Sequence, residues 1–92
     1  MRYYTDFIDG SALSRDEEGL EFGDRREACR SAAEALVEIA HDTLRCRHAP
    51  LFTRDRLGLH MEALVRDEAG LVVFRARLDL ALDWSDDLPG GR

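Results

Sequence analysis

The chain has no lysine; its 13 basic residues are all arginine. Selection for bidentate recognition of carboxylates or phosphates would produce such a bias. Alanine, aspartate and leucine are abundant as well, so the plainer cause is a GC-rich bacterial genome. Cysteine is nearly absent. Cys29 and Cys46 are too few and too far apart for a disulfide framework, and free thiols are expected. Long apolar runs are missing: no stretch approaches the roughly 20 apolar residues of a membrane span. Residues 1–10 alternate polar and apolar instead of forming a signal-peptide core. The expectation is a cytoplasmic protein with no membrane partner.

Catalytic fingerprints are missing too. There is no Gly-x-Ser-x-Gly elbow, phosphate-cradling Walker loop or dinucleotide turn. Ser11, Ser14 and Ser31 have no histidine nearby in sequence. Zinc sites favour tight pairs such as Cys-x-x-Cys, and none exists here. Cys29 and His41 stand twelve residues apart on one expected helix, about 18 Å along its axis, and cannot share an ion. The expectation is a non-enzyme with no metal, no cofactor and no small-molecule substrate.

At 92 residues the chain is one domain, with 45% hydrophobic residues to build a single core. The net charge of -6 repels phosphate backbones at long range and counts against nucleic acid. The arginines gather locally, however, with Arg45, Arg47, Arg54 and Arg56 close together.

Residues 2–8 alternate and carry aromatic and β-branched side chains, which predicts a strand. Asp9-Gly10 predicts a hairpin into a short partner at residues 11–15, and residues 20–22 add a few extended positions. Asp24 stands three residues before Glu27, the capping-box spacing. From Ala28 to Leu44 the apolar stripe Cys29, Ala32, Ala33, Leu36, Ile39, Ala40 and Thr43 has helical period. Residues 46–58 show no period. Residues 59–66 alternate as a strand, residues 67–70 form a turn, and residues 71–84 give the strongest strand pattern. There Val72, Phe74, Ala76, Leu78, Leu80, Leu82 and Trp84 share one face, with Arg75, Arg77 and Asp79 on the other. The expected fold is α+β, a two-layer β-β-α-β-β sandwich with one long amphipathic helix on a small antiparallel sheet, spanning residues 1–84, followed by an acidic, disordered tail at residues 85–92.

Two details sharpen this. Arg15-Asp16-Glu17-Glu18-Gly19-Leu20 echoes Arg66-Asp67-Glu68-Ala69-Gly70-Leu71, for which shared turn chemistry is the plain cause. The last strand also outruns its neighbour. Residues 59–66 reach only residues 71–78, leaving residues 79–84 to the N-terminal strand, the favoured reading, or to a second copy of the chain.

The order Arg2-Tyr3-Tyr4-Thr5-Asp6, Asp9-Gly10, Asp16-Glu17-Glu18-Gly19, the Asp24-capped alanine-rich helix, then Val65-Arg66-Asp67-Glu68-Ala69-Gly70 and Val73-Phe74-Arg75-Ala76-Arg77-Leu78 resembles a family of small bacterial proteins, domain of unknown function 6894. The chain departs from that pattern at Thr5, usually aromatic, at Arg25, usually leucine, and at Cys29, usually arginine. Its connection over residues 46–58 is also longer. The resemblance implies a compact bacterial α/β domain and no activity. The β-β-α portion is similar, more loosely, to the antitoxin partners of small ribonuclease toxins.

The function expected from all this is a protein-interaction or dimerisation module. Leu80, Leu82 and Trp84 would form a homodimer seam, and Arg75 and Arg77 a second site for a polar partner. The plainer expectation for that face, with Arg66 beside those two arginines, is cross-strand pairing to acids such as Glu62 or Asp79; a basic patch that also takes in Arg45, Arg47, Arg54 and Arg56 is the alternative. One alternative is an antitoxin-like regulatory module whose acidic N-terminal half binds a basic protein. Another is a small metal-ion-binding protein using Asp6, Asp9 and residues 16–18.

Overall fold

The computed structural model describes residues 1–46 and 58–83. Strand β1 (Arg2–Asp9) turns through Gly10-Ser11 into β2 (Ala12–Ser14), with Asp9 paired to Ala12. The two-residue β3 (Leu20–Glu21) returns to the start of β1, where Arg2 pairs with Glu21 and Tyr3 with Leu20. Helix α1 (Arg25–Arg45) follows, then β4 (Gly58–Arg66) and β5 (Val72–Ala81). The sheet is antiparallel with order β2-β1-β4-β5, and β3 joins it on β1. The expected α+β sandwich is what forms, with one extra short strand.

The helix begins where the Asp24 side chain accepts a hydrogen bond from the Glu27 amide at 2.9 Å. Glu27 reaches back one residue further than a capping box requires and accepts from the Gly23 amide at 2.9 Å. Two orphan donors at the helix entry are thereby satisfied. The buried side of α1 is Ala28, Ala32, Leu36 and Ala40, one residue per turn. It faces Leu59, Met61, Ala63 and Val65 of β4, all buried. Small residues on both layers bring the helix close to the sheet. Leu36 is the one large side chain that α1 places fully in the core, where its burial is worth about 1.5–3 kcal/mol. No described helix is long and apolar enough to cross a membrane.

The pairing of β5 differs from expectation. The strand ends at Ala81, and β4 begins one residue early, at Gly58, so Gly58 pairs with Ala81 and Leu59 with Leu80. At about 3.3 Å per residue, β5 is then ~33 Å long, close to the ~31 Å of the helix. Gly58 makes this early start possible. Its φ is +112°, and a β-carbon there would lie 1.8 Å from the Leu80 carbonyl oxygen. The N-terminal strand does not reach residues 79–83, the described part of the stretch assigned to it. It pairs with the opposite edge of β4, Tyr4 with Arg66 through Asp9 with Met61. Alternation along β1 fixes its faces but not its neighbour. The choice is made by side chains described below. Trp84, residues 85–92 and most of the connection over residues 46–58 lie outside the described residues.

Candidate functional site

Two polar assemblies stand on the sheet face turned away from α1. The first joins β1, β4 and the loop after β2. The Arg66 guanidinium donates to Asp6 Oδ2 at 2.7 Å and Asp6 Oδ1 at 3.1 Å, and to the Asp16 carbonyl at 2.7 Å. Its other side lies over the Tyr4 ring, 5.1 Å from the centroid. Asp6 is only 6% exposed. Burial would raise its carboxyl, but the Arg66 hydrogen bond, the Asp16 amide and the charges of Arg66 and Arg15 outweigh this and hold it below the ordinary range.

Asp16 fills the gap between β2 and β3. Its carboxylate accepts from the amides of Thr5 at 3.1 Å, Glu18 at 3.1 Å and Gly19 at 3.0 Å, while its own amide donates to Asp6. The Thr5 amide, which no neighbouring strand takes up, therefore finds a side-chain acceptor. Burial pushes the Asp16 carboxyl up; the three amides and the Arg66 charge push it down further. The loop closes at Gly19, whose φ is +70° and where a β-carbon would press on the Tyr3 carbonyl and the Tyr4 ring. The echo identified in the sequence is shared turn chemistry, an Asp that accepts from the amide two residues on and a positive-φ Gly three residues on. Asp67 Oδ1 accepts from the amides of Ala69 and Leu71, and Gly70 again has positive φ.

These contacts bear on two expectations. Asp6 and Asp16, central to the cation-binding alternative, have their oxygens turned to internal donors. Among the described residues no three His, Cys, Asp or Glu side chains are grouped so as to hold an ion. Arg66 does not join Arg75 and Arg77 in a basic patch, because its guanidinium is turned toward β1, where Asp6, the Asp16 carbonyl and Tyr4 hold it. Of the remaining arginines, Arg45 ends α1 in an exposed position, while Arg47, Arg54 and Arg56 lie outside the described residues.

The second assembly lies along β5. Arg75, Arg77 and Asp79 are exposed on the open face. Arg75 stands 3.8 Å from Glu62 of β4. His60 stands 3.6 Å from Glu62 and in direct contact with Asp79. The Asp79 hydrogen bond and charge, followed by Glu62, hold the His60 imidazolium above its ordinary value despite a small opposing effect of burial. Sequence reading did not single out His60. The usable signal was its register position, directly across from Asp79.

On the helix side of β5, Phe74, Ala76, Leu78 and Leu80 are half-buried and pack on the core. Leu82 is half-buried just past the strand end, so Leu80 and Leu82 flank one end of the edge while Trp84 lies outside the described residues. One side of β5 is fully paired to β4, and among the described residues nothing pairs with the other. A β-bulge opposite Val65 and Arg66 kinks the strand near its start, at Val73, leaving Phe74 to Ala81 as a regular edge. Elsewhere a groove of about 350 Å³ runs between α1 and β1, bordered by Tyr3, Phe7, Phe22, Ala32 and Ala35.

Comparison with curated proteins and with solved structures finds no match. A family model matches residues 2–79, a span that includes the Asp6–Asp16–Arg66 assembly and β5 as far as Asp79. The chain belongs to the family described as Domain of unknown function (DUF6894).

Proposed function

We propose that the protein is a non-enzymatic interaction module that associates with a second copy of itself through the outer edge of β5. The observation that carries this reading is the edge itself. It is a long, regular strand border, without proline, backed by half-buried Leu78 and Leu80 and without a described neighbour. Edges of this kind are normally blunted by lysine, proline, extreme shortness or a covering loop. Among the described residues, the Val73 bulge intervenes at one end and the charged side chains of Arg75, Arg77 and Asp79 line one face.

The rest of the molecule supports a role without catalysis. Its depressed carboxylates, Asp6 and Asp16, are engaged by Arg66 and by backbone amides, which accounts for them structurally. Cys29 and Cys46 are free thiols, so no disulfide braces the fold.

Light scattering behind a sizing column tests the reading. The expected mass is twice 10.4 kDa at high micromolar concentration, falling toward the monomer on dilution. Leu82→Arg, which places a charge at the end of the seam, shifts that balance to monomer while leaving the circular-dichroism spectrum unchanged. A monomer at every concentration would end the proposal.

A further inference from the structure

The polar face of β5 specifies how two copies would meet. In a continuous antiparallel sheet with a two-fold axis normal to it, directly opposed residues share a face, so the axis must pass through one residue and its own counterpart. Four centres bring the regular part of the edge together: Ala76, Arg77, Leu78 and Asp79. Centring on Ala76 sets Arg75 against the partner's Arg77, twice. Centring on Arg77 sets that residue against itself, and centring on Asp79 does the same for the carboxylate. Only Leu78 avoids every like-charge opposition. There Arg77 faces the partner's Asp79 and Asp79 faces the partner's Arg77, while Arg75 faces the partner's Ala81. Directly opposed cross-strand Cβ atoms lie about 4.5–5.5 Å apart, within ion-pairing reach for these side chains.

The helix side agrees. The same register sets Leu78 on the partner's Leu78, Ala76 on the partner's Leu80 and Phe74 on the partner's Leu82, leaving no polar group among them. Arg75 needs no partner carboxylate in this arrangement, because Glu62 of its own chain lies 3.8 Å away. The Val73 bulge falls outside the paired stretch, so the kinked end of the strand is not asked to pair.

From this geometry we infer that the self-association proposed above, on which the inference rests, is a two-fold β5–β5 pairing centred on Leu78 and keyed by reciprocal Arg77–Asp79 contacts. It yields a continuous sheet with both helices on one face.

Charge swaps read by native mass spectrometry and light scattering test it. Arg77→Asp and Asp79→Arg each create two like-charge oppositions and should raise the dimer dissociation constant about tenfold or more. Mixed in equal amounts, the two variants should form a heterodimer that neither forms alone, and Arg77→Asp/Asp79→Arg in one chain should restore the homodimer. Arg75→Asp should change little. All three positions are exposed, and circular dichroism checks that each variant folds. If Arg77→Asp leaves the dimer intact or tightens it, or if mixing produces no heterodimer, the register is wrong while self-association stands. If the unmodified protein is a monomer at all concentrations, self-association and register fall together.

Discussion

Arg66 and Asp6, sixty residues apart, meet side-on through two hydrogen bonds of 2.7 and 3.1 Å across the central strands. Both side chains are largely withdrawn from water, at 13% and 8% exposure. Removing one partner from such a pair leaves a buried charge without compensation. Asp6→Ala should therefore cost about 3 kcal/mol, a large share of the stability of a domain this size. The double variant Asp6→Leu/Arg66→Met should recover most of that loss. Urea unfolding with comparable slopes checks both.

The pH dependence has a definite sign on each side. Asp6 and Asp16 have depressed carboxyls in the folded chain. Their contribution is complete above the ordinary carboxylate range and is lost as pH falls through the folded values. The midpoint of urea unfolding should drop steeply in acid, and Asp6→Asn should flatten that drop.

His60 acts in the opposite direction. Its folded value is raised, so its contribution is complete below the ordinary histidine range and is lost as pH rises through the folded value. An NMR titration of the ring should show a raised midpoint that returns toward normal in Asp79→Asn.

Gly58 sets the length of the β4–β5 ladder. Gly58→Ala places a methyl group on the Leu80 carbonyl and forces a positive φ on a residue that resists it. The cost should exceed about 3 kcal/mol. Gly70→Ala has a positive φ but open space around it, and should cost only about 1–2 kcal/mol. Thermal and urea unfolding of the two variants separates steric contact from backbone strain.

Much of this architecture was legible in the sequence, because strand alternation, helical period and the Asp24 cap each act locally. From Phe74 to Ala81 the faces of β5 follow directly from its alternation, while the bulge reverses Val72 and Val73, leaving Val72 exposed and Val73 against the core. What escaped depends on contacts remote in sequence. Alternation assigned Arg66 to the polar face of its strand but could not show that Asp6 lay beside it, since that requires knowing that β1 borders β4. Asp16 read as a turn residue, and it is one, but its carboxylate also stands in for a missing strand opposite Thr5. The early start of β4 depended on a glycine at the end of a stretch without period. Of the seam residues, Leu80 lies along the edge with its side chain half-buried toward the helix, and Leu82 lies just beyond the strand.

The central claim concerns the outward amides of β5, and residue-resolved hydrogen exchange as a function of protein concentration reads them directly. In a strand paired on one side only, every second amide exchanges freely. Pairing between copies predicts that these alternate amides between Phe74 and Ala81 gain protection as concentration rises, with the change centred on Leu78 and absent in Arg77→Asp. Outward amides that exchange freely at every concentration, or that are equally protected at every concentration, would contradict it.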